Sequence, residues 1–474
     1  MRSRPLSVLL ALLLPALAAR ARAQETPAKA APGQLVVTSS VEATRTALAA
    51  ALVEALNGSP RRAEKNLKLA VAGDPGCALA RAFYAGYAPG LPTAQRLTEL
   101  DRALADAATA TPPEQLVVKA VRETVAGNGA AADSLLRAAR RLVPDDPTVA
   151  DLRAFLLPAG AERLALLESV VRRTPDHAAS VNLLAYTLYL VGRPTDALIM
   201  AERYASLLPR HPNPYDSYGE LLQWDGHLDD AAVQYGRAVE LDPDFTEAYL
   251  GLAEVAQLRR DSIKAREHLE DALAHAVAPE DRVVGFRALA FDAAFSDDLD
   301  RLRRALGAAI DEAESAGLPA SATESRWLLA ELEAAGGNAP EATRELELAR
   351  RAAAAPGAPA PLTRAWVYGA LGNAAEVASA LAQLERSPDG AALAEQRSAL
   401  RAVDASLRGD LATARTELAA VHTPDLRTPT NALLLVALRK AGDDKGMAII
   451  RAAIQADRRV SAPTAYAALL TREK

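Results

Sequence analysis

The run Gly127-Asn128-Gly129-Ala130-Ala131-Ala132 has the spacing of a G-x-G-x-x-A cradle, in which glycines let the backbone approach a pyrophosphate at a helix N-terminus. That chemistry needs a preceding strand and a parallel sheet. The residues around it carry helical spacing instead and place Gly127 in a turn between two helices. No G-x-x-x-x-G-K-S/T, H-E-x-x-H or G-x-S-x-G occurs, so phosphate-loop, zincin and nucleophile-elbow chemistry has no support. Among the six histidines, His211 and His227 fall at helix junctions, while His268 and His275 are seven apart and could share one helix face. With a single cysteine, Cys77, the three or four convergent ligands of a zinc site are not available. The acidic pairs Asp229-Asp230 and Asp297-Asp298 have the composition for paired-carboxylate hydrolysis. They stand at expected helix starts, where carboxylates accept free N–H groups and complement the helix dipole. The expectation is therefore no catalytic residue, no metal site and no cofactor.

Residues suited to binding emerge only once the elements that carry them are placed. Leu184-Ala185, Leu188, Gly192, Ala197, Ala201, Tyr204 and Pro209 recur 34 residues later as Tyr218-Gly219, Leu222, Gly226, Ala231, Tyr235, Ala238 and Pro243. A further 34 gives Leu252-Ala253, Ala256, Ala265, Leu269 and Ala272. Apolar residues at i, i+3, i+4 and i+7 mark one helix, a glycine breaks it, and a second amphipathic run follows. Each unit thus reads as a helical hairpin. Small residues (Gly219, Ala253, Ala197, Ala231, Ala265) let helix axes approach, and Pro209 and Pro243 end the second helix.

The same frame fits upstream at Gly58, Ala63, Leu67, Ala70 and Pro75, and at Gly127, Ala132, Leu136, Ala139 and Pro144. Downstream it returns more weakly around Gly337, Gly372, Gly409 and Gly442. Out-of-register helix pairs are expected over 78–112, 145–175 and 280–322, giving eleven or twelve hairpins in total.

These spacings, with Leu241-Asp242-Pro243-Asp244 at a junction, resemble the tetratricopeptide repeat family. The resemblance implies an all-α fold: an α-solenoid of stacked antiparallel hairpins wound into a right-handed superhelix, each hairpin burying its face against its neighbours. It also implies that the first helix of each repeat lines a concave groove with its variable positions. On the three in-phase repeats those are Asn182, Tyr186 and Tyr189; Asp216, Glu220, Gln223 and Trp224; and Glu254 and Gln257. Carboxylates and amides pair with cationic side chains and peptide backbone, and Tyr and Trp give contact area at low entropic cost. Some family members clamp a C-terminal carboxylate with Lys, Arg and Asn, a pattern of which only Asn182 remains. The implied partner is a protein or peptide, preferably basic.

Composition agrees with that picture. Half of the 474 residues are apolar but only 4% are aromatic, so the core is built from Ala, Leu and Val, which favours helices over a large sheet. The formal charge of −6 opposes binding along a phosphate backbone, so nucleic acid is not an expected partner. Residues 178–279 hold 8 basic and 16 acidic side chains, concentrating the acidity on the three clear repeats. Met1-Arg2-Ser3-Arg4, the apolar run from Leu6 to about Ala19, and Ala21-Arg22-Ala23 form the three parts of a secretory signal. Its run is too short to span a bilayer, and no transmembrane segment is expected in the mature chain.

The expected organisation is a signal at 1–23, a linker at 24–43 and divergent repeats at 44–177. Three in-phase repeats follow at 178–279, divergent repeats at 280–351, an Ala/Pro-rich loop at 352–361 and C-terminal repeats at 362–474. With an Ala/Arg-rich composition of the kind found in high-GC bacteria, the expected protein is a non-catalytic scaffold or adaptor exported to a bacterial periplasm or medium. The alternative is an all-α enzyme or carrier acting on peptides or glycans in the envelope. Low aromatic content argues against sugar stacking in such an enzyme.

Overall fold

The computed structural model describes residues 33–420 except 59, 88–90, 92, 297, 353–360 and 387–393, together with scattered positions between 436 and 448. The signal segment and most of the Ala/Pro-rich loop lie outside the described residues. The chain divides into two compact units, Met1–Leu183 and Leu184–Lys474. Among the described residues there are 22 α-helices and no strand, arranged as an α-solenoid of antiparallel hairpins.

In the first unit the helices are α1 (Glu42–Leu56), α2 (Pro60–Gly73), α3 (Ala78–Tyr87), α4 (Thr93–Asp106), α5 (Pro112–Val125), α6 (Gly129–Leu142), α7 (Pro147–Leu156) and α8 (Ala161–Arg173). They pair in sequence, and each hairpin packs on the next. The three in-phase repeats are α9 (Ala178–Leu190) with α10 (Pro194–Leu207), α11 (Pro212–Asp225) with α12 (Leu228–Leu241), and α13 (Thr246–Leu258) with α14 (Ser262–His275). Beyond them come α15 (Pro279–Phe295) and α16 (Leu299–Ser315), α17 (Pro319–Gly336) and α18 (Ala339–Ala352), α19 (Pro361–Ala370) and α20 (Ala374–Glu385), and α21 (Ala394–Leu407) and α22 (Leu411–Leu418). From α11 onward each first helix also touches the next first helix, so α11, α13, α15, α17, α19 and α21 form one continuous layer.

Local chemistry sets these boundaries. Many helices begin on proline, whose fixed φ suits the first helical position and whose missing N–H is not needed there. Asp146, Asp261 and Asp298 cap α7, α14 and α16, accepting from Val149 N (2.9 Å), Lys264 N (3.1 Å) and Arg301 N (2.9 Å). Capping is therefore what Asp298 does, and Asp229 and Asp230 occupy the first turn of α12. Helices α10 and α12 stop at Leu207 and Leu241, two residues short of Pro209 and Pro243. Gly127 follows α5, a helix, so the glycine-rich run has no strand before it.

All eight glycines in the repeat frame, from Gly58 to Gly442, adopt positive φ, and those from Gly58 to Gly409 reverse the chain between helices. At the matching position of the third repeat stands Arg260, with φ of 59°, the one positive-φ residue other than glycine among those described. A left-handed conformation costs a side chain with a Cβ roughly 1–2 kcal/mol. Arg260→Gly is expected to stabilise the second unit by about 1 kcal/mol, the looser unfolded chain offsetting part of the gain. The urea midpoint should rise, and an unchanged midpoint would show that the turn carries no strain.

The interior is small and tight. Ala197, Ala201, Ala231, Ala238, Ala265 and Ala272 are buried at the hairpin contacts, with Leu, Val and a few aromatic rings between them. Tyr235 of α12 inserts between α11 and α13, where Gly219 and Gly251 face its ring. A Cβ added at Gly251 would sit 2.3 Å from Tyr235 Cε1, and one at Gly219 would sit 3.0 Å away, so both helices need a bare backbone there. Cys77 is buried and desolvation pushes its thiol up to about 11, which makes it an inert packing group. No described helix is long and apolar enough to cross a membrane.

Candidate functional site

The first-helix layer of the second unit carries most of the residues singled out from sequence. Tyr186 and Tyr189 stand one turn apart on α9, and both rings meet Trp224 of α11. The Tyr186 and Trp224 centroids are 5.8 Å apart at 67°, and those of Tyr189 and Trp224 are 5.5 Å apart at 59°. The first contact is edge-to-face and the second tilted, and an edge-to-face pair contributes about 0.5–1.5 kcal/mol beyond buried area. All three residues are half-buried.

Polar bonds then link consecutive first helices. Tyr186 OH donates to Glu220 Oε2 (2.5 Å), joining α9 to α11. Gln223 Nε2 donates to Glu254 Oε2 (2.8 Å), joining α11 to α13. Gln257 Nε2 donates to Asp292 Oδ1 (3.0 Å), joining α13 to α15, and Asp292 is ion-paired with Arg301 at the start of α16. The result is a ladder of polar rungs running from one first helix to the next. Gln223 also accepts from Tyr235 OH (3.0 Å), and it is fully buried. It therefore serves the packing of three helices as well as the layer.

Asp216 lies one turn before Glu220 and is only partly accessible. Desolvation first, and then the carboxylates of Glu220, Glu247 and Glu254, push its carboxyl well above the ordinary range. Burial, followed by Glu220, likewise pushes the Tyr186 phenol upward. The face thus combines aromatic surface with a concentration of carboxyl groups, chemistry that suits a cationic side chain. Asn182 belongs to the first unit, where its Oδ1 is buried without a hydrogen-bond partner.

Asp292 and Arg301 were not legible as part of this layer, because the 34-residue frame fades after Pro279. A second arrangement without a sequence signal occurs in the first unit. Ser180 Oγ donates to Asp151 (2.5 Å) and lies 2.9 Å from His177 Nδ1, while His177 Nδ1 is 3.3 Å from Asp151 Oδ2. A nucleophilic triad needs histidine between serine and aspartate with the hydroxyl exposed. Here the serine lies between the other two and is fully buried, so the cluster ties α7 to the start of α9. The same unit holds an apolar cavity of about 230 Å³ lined by Tyr87, Val121, Val125, Leu136, Leu152 and Phe155. Among the described residues, no group of three His, Cys, Asp or Glu side chains could hold a metal ion.

Many solved structures are similar to this chain, and three illustrate the likeness. The 41-to-end segment of MamA from Desulfovibrio magneticus RS-1 is 18% identical, covering 35% of this chain and 97% of its own, with a TM-score of 0.31. The thermophilic TPR protein TTC0263 of Thermus thermophilus is 22% identical, covering 37% and 98%, with a TM-score of 0.33. Human IFIT1, as a dimer with PPP-AAAA, is 16% identical, covering 83% and 89%, with a TM-score of 0.41. Likenesses at this level carry no inference about function. No protein-family model matches the chain, and no curated protein matches it by sequence.

Proposed function

We propose that this chain, a solenoid of tetratricopeptide-like hairpins, is a non-catalytic scaffold or adaptor that binds a basic protein or peptide segment on the first-helix layer of its second unit. The observation that carries the reading is the convergence of Tyr186, Tyr189 and Trp224 beside Asp216, Glu220 and Glu254 on consecutive hairpins. Aromatic faces attract cations, worth about 0.5–2 kcal/mol each, and the carboxyl groups add charge-assisted hydrogen bonds. Export belongs to the same proposal and is supported by the three-part pattern at residues 1–23. N-terminal sequencing of the protein recovered from a bacterial periplasm tests it, with a start at Gln24 expected.

Charge reversal is the wrong tool at this face, because Glu220 holds Tyr186 and Glu254 holds Gln223. Amide substitution keeps those acceptors. Glu220→Gln with Glu254→Gln is expected to weaken binding of lysine- and arginine-rich peptides about tenfold at low salt, and Trp224→Ala to weaken it by a similar factor. Fluorescence anisotropy on labelled peptides, with helical content checked by circular dichroism, reads both. Equal binding by parent and variants would remove this face from consideration. A cation arriving beside Asp216 favours its ionised form, so affinity should also strengthen as pH rises.

A further inference from the structure

In the first unit, residues 33–40 form an arm without regular secondary structure, laid across the starts of three successive first helices. Leu35 N donates to Asp146 Oδ2 (2.9 Å) at the cap of α7, and Thr38 N donates to Glu114 Oε2 (3.0 Å) in the first turn of α5. Ser39 Oγ donates to Asp74 Oδ2 (2.5 Å) in the turn before α3. At the far end Gly33 O accepts from Asp145 N (3.1 Å). Leu35 and Val37 both pack against the core of the unit.

The recipients form a track with one carboxylate per hairpin, and each takes a donor from the arm. Two of the three donors are backbone N–H groups, which any extended peptide supplies. Glu114 is fully buried beneath the arm. Desolvation pushes its carboxyl up, while the hydrogen bonds it accepts, those of Thr38 first among them, act in the opposite direction. The track therefore needs a donor above it, and it repels a segment that brings acidic side chains.

We propose that the arm is a built-in occupant of a peptide-binding track, and that the track takes, in its place, an extended segment of a partner protein with apolar residues two apart and no acidic side chains. Because the arm is tethered, it competes at an effective concentration in the millimolar range, so the track stays closed until the arm is weakened or displaced. This site is separate from the aromatic and acidic layer proposed above and does not depend on it.

The probe is a labelled peptide of residues 33–40, Gly-Gln-Leu-Val-Val-Thr-Ser-Ser, read by anisotropy against the full chain. The chain carrying Leu35→Gly and Val37→Gly is expected to bind it at least tenfold more tightly than the parent. Adding Glu114→Gln should cost about tenfold of that gain, and a peptide with aspartate at the two apolar positions should not bind. Absence of binding at millimolar peptide by an arm-weakened chain that retains its helical content and melting midpoint would overturn the proposal. Should that variant lose its fold, hydrogen exchange of the Leu35 and Thr38 amides in the parent replaces it. Faster exchange with excess peptide supports the track, and unchanged exchange overturns it. Dimers of the parent that dissociate on adding peptide would identify the occupant as a second copy's arm and overturn the proposal as stated.

Discussion

Tyr235→Ala is expected to destabilise the second unit by about 3–5 kcal/mol, the range for deleting a buried aromatic ring. The ring fills the space between α11 and α13, and its hydroxyl is donated to Gln223, so removal leaves both a cavity and a buried acceptor to satisfy. The complementary change tests the same wedge from the other side. Gly251→Leu drives side-chain atoms into the Tyr235 ring, where even a Cβ would lie 2.3 Å from Cε1, and overpacking of this kind costs about 1–3 kcal/mol or more. In the Tyr235→Ala background, the same leucine enters the vacated space. The double variant should therefore lose less than the sum of the two single changes. Urea unfolding followed through tryptophan fluorescence reads all three, since Trp224, Trp327 and Trp366 all lie in the second unit. Simple additivity would show that the ring and the glycine do not share the space assigned to them.

The second large effect is one of pH in the first unit. Asp151 is fully buried, and desolvation, reinforced by the charge on Asp146 and opposed by the Ser180 hydroxyl, pushes its carboxyl up to about 8. His177, beside it, is pushed down by burial, so it does not supply a compensating cation over most of the neutral range. The unfolded chain releases the Asp151 proton near 3.8, whereas the folded chain holds it to about 8. Between those values the folded state binds more protons, so stability falls as pH rises, by up to about 1.4 kcal/mol per pH unit. Above about 8 the decline stops. Asp151→Asn removes the titration, so parent and variant should diverge steadily between pH 5 and 8, with the parent losing ground. Hydrogen exchange of the α7 amides follows this, because no tryptophan lies in the first unit. A flat difference between the two would mean that Asp151 is ionised in the fold.

Much of the architecture can be read from residue types. The frame glycines announced the turns because an inter-helix reversal needs positive φ, and Pro209 and Pro243 announced the helix ends because proline cannot continue the ladder. The divergent stretches over 78–112, 145–175 and 280–322 do fold as α3 with α4, α7 with α8, and α15 with α16. Arg260 escaped notice because its conformation is imposed by the hairpins around it and not by its own preference. Gly251 carries a contact that no spacing rule marks, since it depends on where the Tyr235 ring lands from another helix.

The candidate site was legible as a face and not as a set of bonds. Position on the first helix brought Tyr186, Tyr189, Glu220 and Trp224 together, but depth decided the rest, and Gln223 sank fully into the packing. The arm was invisible within the expected linker at 24–43. A segment without regular secondary structure has no helical period, and what orders it are carboxylates 35, 76 and 111 residues further along the chain.

Those separations impose an order in time. Contacts within hairpins and between neighbours are short-range and close quickly, while closing a loop of more than a hundred residues is slower and entropically costlier. Asp74, Glu114 and Asp146 become available only as the second, third and fourth hairpins form, so the arm fastens stepwise behind the advancing fold and reaches Asp146 last. The arm residues are thus secured after helices that follow them in sequence, and the bond from Leu35 to Asp146 marks the moment when four hairpins stand in register.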